Sequence, residues 1–239
     1  MAVTAIYFVA SGPNAPGLAD LTDRLIRAYD PVLVGSWGLH HRVFRSTPAN
    51  TSDKSPPHSQ HVLGLGHHPD RAFVHITGPD QPQAQAQAQP PAAPSSTIAI
   101  PLSQMEPYSQ LLNLKFGALW MYRISSQVTS GASYSLGEFV VRLGELREKG
   151  GQMALRGTVV CIQTAKQESE DQDMELLPGQ TDPQDELEAG QSLVRDVWSS
   201  FGVGANQARE SITSRPPREA ADDTFDEVGL WCDILRFQK

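Results

Sequence analysis

Four histidines stand in adjacent pairs, His40-His41 and His67-His68, and they are the only clustered side chains in this 239-residue sequence of a type that holds metal ions. Neighbouring residues of a strand point to opposite faces, so each pair offers one imidazole to a shared ion, and no Cys, Asp or Glu joins either pair at ligand spacing. They read as solvent-facing or turn histidines. The glycines of "GLG" (64–66) and "GVGAN" (202–206) suggest phosphate loops, but neither extends to G-x-G-x-x-G and no G-x-x-x-x-G-K-S/T is present. Both read as turns or helix caps. No serine lies in G-x-S-x-G, and no Ser, His and Asp order themselves into a triad. The carboxylates at 168–175 sit where little apolar material exists to fix their geometry, which acid/base catalysis requires. Cys161 and Cys232 lack C-x-x-C spacing and read as buried, reduced thiols of an intracellular protein. No catalytic residue, cofactor or metal is expected.

The aromatic residues offer a different use, because buried aromatics carry much of the energy of protein interfaces. Trp198 and Trp231 fall on helical apolar stripes and read as core. Trp120 and Tyr122 share one face of a strand and are the expected partner-interface residues.

The elements that position these residues follow from periodicity and turn chemistry. "VTAIYFV" reads as a first strand closed by the turn "SGPNAPG". Leu18, Leu21, Leu25 and Tyr29 recur at helical spacing, with acids early and arginines late as the helix dipole prefers. After Asp30-Pro31, "VLVGSWGLHHRVFRS" reads as a long strand with Trp37, Leu39, His41 and Val43 on one face. "QHVLGLG" and "RAFVHIT" then form a hairpin, and "TIAIPL" a further short strand. "SQMEPYSQLLNL" supplies a helical turn or two before the strand "ALWMYRISSQV". A turn at "TSGAS" and a second at "EKGG" make three β-rich runs into an antiparallel meander, with Phe139, Val141 and Leu143 facing the core.

Towards the C-terminus, residues 166–190 are acidic and poor in apolar groups, so they read as an exposed linker whose end caps the next helix. Leu187, Leu193, Val194, Val197, Trp198 and Phe201 form one helical stripe closed by Gly202. A loop over 203–218 leads to a second stripe of Phe225, Val228, Trp231, Cys232 and Leu235. The expected fold is α+β: a largely antiparallel, barrel-like sheet flanked by an N-terminal helix and two C-terminal helices. One domain spans 1–239, with mobile loops at 48–58, 78–96 and 165–185.

Composition narrows the partner class. The chain is 39% hydrophobic, enough for a real core, and its formal charge of −8 opposes direct contact with a nucleic-acid backbone. No basic residue precedes the short N-terminal apolar run, so neither signal peptide nor membrane anchor is expected, and a soluble cytosolic or nuclear protein is.

The segments "MAVTAIYFV", "LADLTDRLIRAYDPVLVGSWGLHHRVFR", "LWMYRISSQV", "YSLGEFVVRLGELREKGG", "LRGTVVCIQ" and "DDTFDEVGLWCDILR", in this order, resemble subunit 20 of the Mediator of RNA polymerase II transcription, in a fungal-type version. The most specific part is "FVVRLG" followed by "RGTVV". The resemblance implies a non-catalytic nuclear subunit of the Mediator head module that pairs with Mediator subunit 18 and other head subunits. It implies indirect action on the RNA polymerase II machinery, with no direct nucleic-acid or membrane contact. The family brings no active-site motif. Two other classes stand beside it: a promoter DNA-binding protein using its sheet, with Arg123, Arg142, Arg147 and Arg156 in the meander, and an enzyme with a small-molecule pocket inside a barrel.

Overall fold

The computed structural model describes residues 2–47, 57–78, 95–150, 153–165, 182–204, 206–214 and 223–236. Among these residues, nine strands and four α-helices make the fold α+β: β1 (Thr4–Ala10), α1 (Leu18–Tyr29), β2 (Val32–Ser46), β3 (Ser59–Leu65), β4 (Arg71–Thr77), β5 (Ser96–Pro101), α2 (Met105–Leu114), β6 (Trp120–Ser135), β7 (Phe139–Glu148), β8 (Ala154–Thr164), α3 (Pro183–Ser199), β9 (Ala208–Ile212) and α4 (Asp223–Ile234). The strand order is β5-β4-β3-β2-β6-β7-β8-β1-β9, antiparallel, with β5 and β9 at its two ends. The sheet is not closed among the described residues, so the expected barrel-like description holds only loosely. The loops expected at 48–58, 78–96 and 165–185 lie almost wholly outside the described residues. At the margin of the last, Pro183–Asp185 is already helix. No helix among the described residues is long and apolar enough to cross a membrane.

The chain divides into two compact units, the first of residues 1–37, 130–145 and 156–239, the second of 38–129 and 146–155. In the first, β1 has six consecutive buried residues, because apolar groups cover both of its faces. One face joins Tyr7 and Val9 to Leu21 and Leu25 of α1 and Leu187, Val194 and Val197 of α3, while α4 packs against β1 and β9. Helix boundaries follow local chemistry. Gly17 N–H donates to the Asp20 carboxylate at 3.0 Å at the start of α1, and Asp30 closes that helix in the left-handed region at φ 45°. Asp182 caps α3 by accepting from Gln184 N–H at 3.0 Å, the capping role expected of the acidic segment's end.

Three expectations shift. Leu193, assigned to the α3 core stripe, is half exposed. The expected loop over 203–218 contains β9, which pairs with β1 from Ala5↔Ile212 to Val9↔Ala208. Five residues, "ARESI", carry too little alternation to announce a strand, and Tyr7 holds it in place: its hydroxyl donates to Glu210 at 2.9 Å while Arg195 grips the same carboxylate at 3.1 and 3.2 Å. Finally, no turn forms at "TSGAS", since β6 runs straight through it to Ser135. A Cβ on Gly131 would lie 2.6 Å from Trp37 Cε3 and 2.7 Å from Leu143 O, so this glycine permits close approach within the sheet. The turn falls at Gly137, whose φ of 73° suits glycine.

In the second unit, β2 to β5 form an antiparallel meander, with Leu39↔Leu65, Leu63↔Phe73 and Val74↔Ile98 in register. A 3₁₀ turn at Leu102–Gln104 leads into α2, which packs on β3. Phe44, Val62, Ala72, Met105 and Leu112 form its core, flanked by Ile100, Tyr108 and Trp120.

Candidate partner-binding surface

The strand chosen from sequence as an interface begins where α2 ends, and backbone bonds fix the path between them. Lys115 and Phe116 N–H both donate to Leu111 O, at 2.9 and 3.2 Å, while Leu119 and Trp120 N–H donate to Phe116 O at 2.8 Å. Thr47 clamps the segment from β2, its N–H donating to Leu119 O at 2.9 Å and its hydroxyl to Ala118 O. Helix α2 is itself fastened to the sheet: Arg42 pairs with Glu106, and Gln60 donates to the Tyr108 hydroxyl. A rigid scaffold thus carries the residues from 114 to 123.

They differ in burial. Trp120 is half buried against the core of α2, and Tyr122, exposed over much of its surface, meets Phe44 edge-on at 5.8 Å. Trp120 and Tyr122 therefore occupy one place in the fold but in different degrees: the first packs, the second reaches solvent. Sequence reasoning missed what surrounds them. Leu111, Leu114, Phe116, Leu119 and Met121 are all exposed, Leu114 by 79%. A stretch of large apolar side chains this dense on a folded surface marks an interaction site more often than chance packing. The available signal was "LLNLKFGALWMYR", in which apolar residues continue across a helix end and a loop with no polar face to set against them.

Along 107–123, and on β2 from 38 to 46, the charged residues are all cations. Arg45, Lys115 and Arg123 are exposed, and none has a carboxylate partner among the described residues. The Arg123 guanidinium lies 3.7 Å from Met121 Sδ. Of the other arginines weighed for DNA contact, Arg147 belongs to this second unit and Arg142 and Arg156 to the first.

The histidines contribute structure here, and not all as expected. His67 and His68 do lie in the β3–β4 turn, but His41 is fully buried and not solvent-facing. Its Nε2 lies 3.0 Å from His61 Nδ1 and its Nδ1 3.4 Å from Ser126 Oγ, while His75 Nδ1 meets Thr97 Oγ1 at 2.7 Å. Burial pushes His41 down to about 3, so the imidazole is neutral, its polar atoms met by neighbours. His40 is lowered by burial and then by the nearby cations Arg42 and Lys149. Cys161 and Cys232 are free and buried, as expected, and burial drives the Cys161 thiol up to about 12.

With this surface described, its relatives bear on its use. The family model described as the TATA-binding related factor (TRF) of subunit 20 of the Mediator complex matches residues 1–230. The chain belongs to the Mediator subunit 20 family. It is thereby a Mediator subunit, a component of transcription regulation, in a complex whose subunits are generally nuclear and non-catalytic. Among solved structures, the PH1819 protein from Pyrococcus horikoshii OT3 aligns over 89% of this chain and 94% of its own, at 13% identity and a TM-score of 0.42. No curated protein matches the chain.

Proposed function

We propose that this Mediator subunit is a non-catalytic scaffold piece of the head module that pairs with Mediator subunit 18, and that the segment around Trp120 and Tyr122 is part of its partner face. It acts in the nucleus on the RNA polymerase II machinery indirectly, through other head-module subunits and without direct nucleic-acid contact. The observation that supports this reading is the run of exposed apolar side chains from Leu114 to Tyr122 on a hydrogen-bonded scaffold. Removing such surface from water on association is the main favourable contribution to binding.

The test is co-expression with subunit 18 of the same source, affinity capture and size-exclusion chromatography. A 1:1 complex is expected, and its yield should fall when Tyr122→Ala and Met121→Ser are combined in a chain that keeps its circular dichroism spectrum. A chain that stays apart from subunit 18 removes the pairing. An intact complex carrying these substitutions moves the interface elsewhere.

A further inference from the structure

We propose that the Leu114–Arg123 surface takes an acidic peptide segment that carries large apolar side chains. This rests on the reading of the same surface as a partner face and names the chemistry of what binds there. The first support is the distribution of charge. The whole chain is at −8, yet residues 38–129 and 146–155, the second unit, hold eight Lys and Arg against five Asp and Glu, a net of +3. The first unit holds the other eleven and twenty-two, a net of −11. An overall negative charge thus conceals a cationic unit.

Within that unit the bias centres on the exposed apolar segment. No Asp or Glu occurs from Pro107 to Thr129, nor from Gly38 to Ser46 on the neighbouring strand β2. The one carboxylate on α2, Glu106, is engaged by Arg42. Arg45, Lys115 and Arg123 are exposed, as are Leu114, Phe116, Leu119 and Met121 of the same segment. A nucleic-acid backbone would leave those apolar groups unused and would ask for a denser row of cations. An acidic, apolar segment uses both: its apolar side chains supply affinity, and its carboxylates supply attraction at range and selection against neutral competitors.

The experiment is a fluorescence-anisotropy titration of the full chain without subunit 18 against a short labelled peptide alternating Asp and Glu with Leu and Phe. Its Asn/Gln counterpart and a DNA duplex serve as comparisons. The acidic peptide should bind about tenfold more tightly than the neutral one, weakening as salt is raised. Arg45→Glu, Lys115→Glu and Arg123→Glu together should lower its affinity by about tenfold, and Leu114→Ser with Met121→Ser should weaken both peptides. Equal binding of the neutral peptide, tighter binding of the duplex, self-association of the chain in place of peptide binding, or indifference to these substitutions would each overturn the proposal. The two readings fail separately: a subunit 18 complex with no peptide binding sinks this inference alone, and peptide binding without that complex sinks only the pairing.

Discussion

The two units of this chain spend their residues differently. Among the described residues the first carries three α-helices and the second one; by sequence the first has a net negative charge and no histidine, whereas the second has a net positive charge and all seven histidines. Whole-chain averages mislead in such a case. A formal charge of −8 argues against acidic partners for the first unit only, and the apolar fraction says nothing of where apolar groups remain exposed. Partner chemistry has to be read on the unit that presents the surface.

That contrast can be broken or sharpened by substitution. The largest effect belongs to Trp231, fully buried on α4 with its indole N–H donating to Glu227 at 3.1 Å and its ring stacked on Trp37 at 5.6 Å. Trp231→Ala should lower the unfolding free energy by about 3–5 kcal/mol in urea titrations, or prevent folding of the first unit. Next comes Gly131→Ala, expected to cost about 1–3 kcal/mol because the added methyl has to displace Trp37 or the Leu143 carbonyl. A change nearer zero would mean that the strand shifts freely at that point.

The third prediction separates the units by pH. A folded His41 held near 3 stays neutral where the unfolded imidazole, at 6.5, takes up a proton, so stability falls as pH drops below about 6.5. The slope is at most about 1.4 kcal/mol per pH unit for one such group. Between about pH 6.5 and 5 histidines dominate side-chain titration, so the loss should be confined to amides of the second unit when followed by hydrogen exchange. His41→Phe should reduce the slope, leaving the smaller contributions of His40 and His75, whose imidazoles burial also holds below their ordinary value. Smaller still is Asp182→Ala, which removes the α3 cap and should cost about 1 kcal/mol. At the low end, Leu114→Ser should leave the urea midpoint within about 0.5 kcal/mol of the parent, as an exposed apolar residue with no folding role would.

How much of this was legible depended on the strength of local signals. Periodicity placed β2 and α1, and apolar runs bounded by turn residues placed β3 and β4, each to within a residue or two, although β3 is buried throughout and not on one face alone. Gly131 misled for a physical reason: glycine marks a turn and a close packing contact equally, and only Trp37 across the sheet distinguishes them. β9 was silent since its partner is β1, far away in sequence. On the surface, Trp120 and Tyr122 pointed to a strand that does lie among exposed apolar residues, but periodicity selects positions that alternate, and Leu114, Phe116 and Leu119 occupy a helix end and a loop where nothing alternates.

The pairing of β1 also sets a timetable for synthesis. Its partners in the sheet are Gly157–Gln163 on one side and Ala208–Ile212 on the other, so at ~5–20 residues per second the strand waits on the order of ten seconds or longer after it leaves the ribosome. Throughout that interval "TAIYFVA" is an apolar β-former with both edges open, a segment prone to stick to other nascent chains. Most of the second unit, contiguous over 38–129, is complete well before then. Cells that make this subunit thus have reason to keep a chaperone on its first strand until the last one arrives.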